Sequence, residues 1–138
     1  MPAFTFNADT EKEATIKGHH TKWKELKTTH QVVLKTNSIS FNDNLGKALD
    51  NRWTYWKAIH EAKAHLNVAD KSQLAAFRTK LNTLKSNAKT GQQTVAAYHK
   101  QIQKLNVAAT KPQFQVFDQA LVQMDKAFQY DINYAESI

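Results

Sequence analysis

Ten small or apolar positions in the second half of this chain follow one another in alternating steps of three and four: Leu74, Phe77, Leu81, Leu84, Ala88, Gly91, Val95, Tyr98, Ile102 and Leu105. A strand turns successive side chains to opposite faces, so such a row cannot form one side of a strand. On a helix of 3.6 residues per turn it forms a continuous seam. A chain with this seam needs other helices to cover it. Three Gly and two Pro in 138 residues leave too few turn residues for an alternative built from many short strands.

Partner seams are present. Ile16, Trp23, Leu26 and Val33 mark one in the first third, with His19 and His30 at two further positions of the same row. Leu45, Leu49, Trp53, Trp56, Ile59 and Leu66 mark a second helix, and Phe114, Phe117, Leu121, Met124 and Phe128 the last. Cap-like residues with an acid or Gln three positions later signal the starts: Thr10 with Glu13, Ser40 with Asp43, Asp70 with Gln73, and Thr110 with Gln113. Pro112 fits a first turn, where its missing N–H costs nothing. The expectation is an all-α fold: an elongated four-helix bundle with helices near 9–36, 42–66, 70–106 and 111–131 in one domain over 1–138. Thr90 with Gln93 is a further capping pattern and Asn87 a helix stop, so a break near 87–91, giving five helices, is the competing reading. The apolar phase running unbroken through Ala88 and Gly91 favours one continuous helix, with any kink at Gly91.

Leu66-Asn67-Val68-Ala69 recurs as Leu105-Asn106-Val107-Ala108, and flanking apolar positions match at similar offsets. This pattern raises an internal duplication of a helix–turn–helix unit, about 53–89 and 92–131. The turn followed by Gln73-Leu74-Ala75-Ala76-Phe77 resembles the three-helix immunoglobulin-binding modules of bacterial surface proteins, over about a dozen residues and without their full pattern. The richness in Lys, Thr, Asn, Gln and Ala likewise resembles exported bacterial proteins.

Several chemistries find no support in the sequence. Without cysteine there is no thiol catalysis and no Cys-containing zinc site. Gly18, Gly46 and Gly91 stand alone, so no Gly-rich phosphate loop exists. His60 and His65 flank a Glu as in a zinc-protease motif, but the five-residue step places them on different faces. No nucleophile–base pair is evident, and the expectation is a protein that is not an enzyme and holds neither metal nor cofactor. No apolar run is long enough for a membrane span. The start of the chain lacks a leader pattern, which fits either a cytoplasmic protein or an exported domain without its leader.

Charge supplies the functional candidate. Lys71, Arg78, Lys80, Lys85, Lys89, Lys100, Lys104 and Lys111 fall in a stretch with no Asp or Glu, which therefore exceeds the +7 of the whole chain. With Leu74 and Phe77 as seam positions a and d, Lys71, Arg78 and Lys85 all occupy position e, about 10.5 Å apart along the axis. A one-signed flank of this kind attracts polyanions. The expected function is a non-catalytic interaction module that docks a protein or an anionic polymer through Lys71, Arg78, Lys80, Lys85, Lys89, Lys100 and Lys104. The partner is either a cell-envelope polymer or, as the alternative function, a nucleic acid. Trp23, Trp53 and Trp56 read as core, whereas Arg52 and Tyr55, placed off the seam, read as an anchor for a protein partner. Oligomeric state is left open.

Overall fold

The structure, a computed structural model, describes residues 13–104 and 111–137. Five helices follow in order: α1 (Glu13–Thr29), α2 (Gln31–Thr36), α3 (Asn44–Ala64), α4 (Lys71–Gln103) and α5 (Lys111–Ser137). The four long ones form an up-down bundle in which α1 packs on α3, α3 on α4 and α4 on α5. Trp23 of α1 meets Phe117 of α5 edge-on at 5.9 Å, which brings the first helix back to the last. The all-α architecture is the one the seams imply.

The fifth helix arises elsewhere than at 87–91. Helix α4 runs unbroken through Gly91, and the interruption falls instead at His30, which separates α1 from α2. The His30 ring donates through Nδ1 to the Leu26 carbonyl at 2.9 Å and packs on Phe117. Gly91 is not a kink but a point of close approach. A Cβ there would lie 2.5 Å from ring carbons of Phe128, so only glycine lets that ring lie against α4.

Ends differ from expectation for local reasons. Asp70 caps α4 as expected, its Oδ1 accepting from the amides of Ser72 at 2.9 Å and Gln73 at 3.2 Å. Gln73 reaches back to the Asn67 amide at 2.8 Å. The expected cap pair of Ser40 and Asp43 does not form: α3 begins at Asn44 after Asp43, which makes no side-chain cap bond. Thr10 and Thr110 lie outside the described residues, as does the second Leu-Asn-Val-Ala. Helix α5 continues beyond 131 to Ser137. Helix α2 closes with the Ile39 amide donating to the Leu34 carbonyl at 2.9 Å and the Ser38 amide to Lys35 at 3.2 Å. This turn requires a left-handed residue, and Ser38 supplies it at φ 56°.

The interior divides into two apolar clusters. One joins Trp23, Leu26, Phe41, Leu45, Leu49, Val95, Tyr98, Phe117 and Phe128. Within it Trp23 and Phe41 pack against each other and each against Tyr98 and Phe117, at ring-centroid distances of 4.7–5.9 Å, each such pair contributing about 0.5–1.5 kcal/mol beyond area burial. The Tyr98 hydroxyl, 2.6 Å from both Asn42 oxygens, ties the loop before α3 to α4. The other cluster joins Ile16, Trp56, Ile59, Phe77, Leu81 and Leu84. Four polar residues are buried among the described residues: His19 and His20 on α1, Arg52 on α3 and Asp131 on α5.

Candidate anionic-partner interface

Helix α4 places most of its cations on one side because they recur near the helical period. At about 100° per residue, Lys71, Arg78, Lys85, Lys89, Lys100 and Lys104 fall within an arc of about 100°, and Lys80 falls outside it. The arc extends from the flank toward α5 round to the outward face. From Lys71 to Lys104 it covers about 50 Å at 1.5 Å per residue. Lys71, Arg78, Lys89, Lys100 and Lys104 are exposed, while Lys80 and Lys85 are half-buried.

Position e faces α5. Lys85 Nζ meets Glu136 Oε1 at 2.9 Å, Gln92 donates to Gln129 at 3.0 Å, and His99 lies 3.1 Å from Asp118. Hydrogen bonding to Lys85 first, then its charge, with a smaller contribution from Lys89, holds the Glu136 carboxyl below the usual carboxylate range. Lys85 is therefore an intramolecular partner of α5 as well as part of the band. Arg78 and Lys71 share its flank but sit one and two heptads further toward the start of α4, and α5 ends one residue after Glu136. Among the described residues Lys71, Arg78, Lys89, Lys100 and Lys104 form no ion pair. The resulting site is a band of five solvent-facing cations, extended by Lys85.

The expected protein anchor divides. Arg52, expected off the seam beside Tyr55, is turned inward and only 1% exposed. Its Nε and Nη2 donate to the two Asp131 oxygens at 2.6 and 2.9 Å, and Nη1 lies 3.4 Å from His19 Nδ1. Trp56, in the core as expected, donates through Nε1 to Asp131 at 3.0 Å. Burial first, then the charges of Arg52 and Lys22, pushes the His19 imidazole down to about 3, so it is neutral at ordinary pH. Tyr55 is half-buried and packs against the cluster around Trp56. The true seam of α3 is Leu45, Leu49, Arg52, Trp56 and Ile59, in steps of four, three, four and three. That rhythm was the sequence signal for burial of Arg52, and a charged residue within it disguised the pattern.

Among the described residues no three His, Asp or Glu side chains gather as a metal ion would require, and no helix is long and apolar enough to cross a membrane. Comparison with protein-family models, with curated proteins and with solved structures finds no match to this chain.

Proposed function

We propose that the protein is a non-catalytic helical interaction module that docks a linear anionic polymer along α4. The observation that carries this reading is the band Lys71, Arg78, Lys89, Lys100 and Lys104, exposed and without ion pairs among the described residues. Lysine dominates, and its compact charge neutralises phosphate or carboxylate groups without the bidentate geometry of arginine. No exposed aromatic alternates with these cations, so the band suits charge along a backbone rather than stacking on unpaired bases. The burial of His19 and its neutrality at ordinary pH support a packing role for it within this reading.

Titration against a glycerol-phosphate polymer and against duplex DNA tests the reading. With about five neutralised charges, the logarithm of affinity falls against the logarithm of salt with a slope near −3.5 to −4.5. Changing Lys71, Arg78 and Lys100 together to Glu abolishes binding and leaves the helical content intact, because these residues are exposed. Lys85 is excluded from this set because a Glu there would face Glu136. The equivalent change of exposed Lys24, Lys47 and Lys57 leaves most of the affinity. Absence of binding at low salt, or equal loss in both triple variants, overturns the proposal. Preference for DNA over the simpler polymer assigns the partner to nucleic acid.

A further inference from the structure

A second surface lies at the end of the bundle where α1, α2 and the 37–43 loop meet. There an open groove of about 630 Å3 has Leu34, Ile39 and Phe41 in its floor and Lys27 and Lys35 among its lining residues, with no Asp or Glu. The three floor residues are 8–9% exposed, so they belong to the core yet still reach solvent through the groove. Among the described residues neither Lys27 nor Lys35 forms an ion pair.

We propose that this groove binds an acidic, apolar peptide segment of a protein partner, with carboxylates on Lys27 and Lys35 and an aliphatic or aromatic side chain on the Leu34–Ile39–Phe41 floor. Charge and shape argue together for this occupant. Two cations among the lining residues are too few for the footprint of a polyanion, and an apolar floor offers nothing to a phosphate chain. A buried apolar anchor ringed by polar contacts is, by contrast, how short peptide segments gain most of their affinity. Lysines beside the anchor add selection for acidic sequences and against basic ones. The groove adjoins the far end of the α4 band, where the Ser40 amide donates to Gln101 Oε1 at 3.3 Å, but none of its lining residues belongs to α4.

The test uses the whole chain and a fluorescein-labelled peptide alternating Glu and Leu around a central Phe, read by anisotropy at low salt. Controls are the same peptide with Gln for Glu, and polyglutamate. The expected dissociation constant is on the order of 10–100 μM, as for a short peptide with one anchor, and the Gln peptide binds at least about tenfold more weakly. Lys27→Glu with Lys35→Glu weakens the acidic peptide by a similar factor, and Ser40→Trp, which fills the mouth of the groove, removes binding. The α4 triple variant binds this peptide within about twofold of the parent protein, which separates this site from the polymer surface. The proposal is overturned if the peptide fails to bind at about 1 mM, if Glu and Gln peptides bind alike, if polyglutamate binds as well as the apolar peptide, or if the groove variants leave affinity unchanged.

Discussion

Replacing Arg52 with Met should be among the most damaging single changes available in this protein. Asp131 is 0% exposed and takes three of its hydrogen bonds from Arg52 Nε, Arg52 Nη2 and Trp56 Nε1. The variant removes two and leaves a buried carboxylate held mainly by one indole. Breaking a buried pair from one side costs about 3–5 kcal/mol, because the surviving charge has lost its compensation. A domain of this size holds about 5–15 kcal/mol in total, so the melting temperature should fall by roughly 10–20 °C. Removing both charges, as Arg52→Met with Asp131→Leu, should recover most of that loss, since a buried pair is often no better than well-packed apolar groups. The Trp56 N–H then lacks an acceptor, which leaves the double variant about 1–3 kcal/mol below the parent. Urea unfolding at pH 7 for parent, both single variants and the double, compared at constant m-value, measures the coupling. A single variant that loses less than about 1 kcal/mol, or a double variant less stable than either single, would refute the argument.

The same buried layer makes stability dependent on pH. His19 takes a proton near its ordinary 6.5 in the unfolded chain but only near about 3 in the fold, so between those values the unfolded state binds the extra proton and stability falls as pH drops. The loss approaches about 5 kcal/mol at most, at 1.4 kcal/mol per pH unit; His19→Leu should flatten this limb, and urea midpoints at several pH values that decline equally in both proteins would contradict it. Helical glycines should respond to alanine with opposite signs. Gly18→Ala meets no atom within 4 Å and should stabilise by about 0.5–1 kcal/mol. Gly91→Ala drives a methyl into the Phe128 ring and should cost about 1–3 kcal/mol; equal thermal melts for the two variants would remove the close-approach reading of Gly91.

The helices were legible because their causes are local. The seam from Leu74 to Ile102, the cap at Asp70 and the inward faces of Trp23 and Trp56 each follow from spacing a few residues long. The continuity of α4 was legible too, in the unbroken phase through Gly91. Less visible was the seam wherever a polar residue interrupts it: Arg52 follows Leu49 by three and precedes Trp56 by four, and Asp131 follows Phe128 by three. Both stand where an apolar residue is expected. Neither one alone reveals whether it is an exposed break or half of a buried pair.

What the sequence determined by itself was helix content, approximate helix spans and the concentration of cations on α4. These depend on backbone periodicity and on charges along one element. What only the tertiary structure decided was the partner each flank meets. Lys71, Arg78 and Lys85 occupy successive e positions of α4 in the sequence, yet Lys85 is drawn to Glu136 while Lys71 and Arg78 remain without an ion pair among the described residues. Arg52 finds Asp131 across 79 residues of chain. Pairings over such separations are set by which helices the bundle places side by side. No window of local sequence contains that choice, because the energy of a charge is fixed by its neighbours in space.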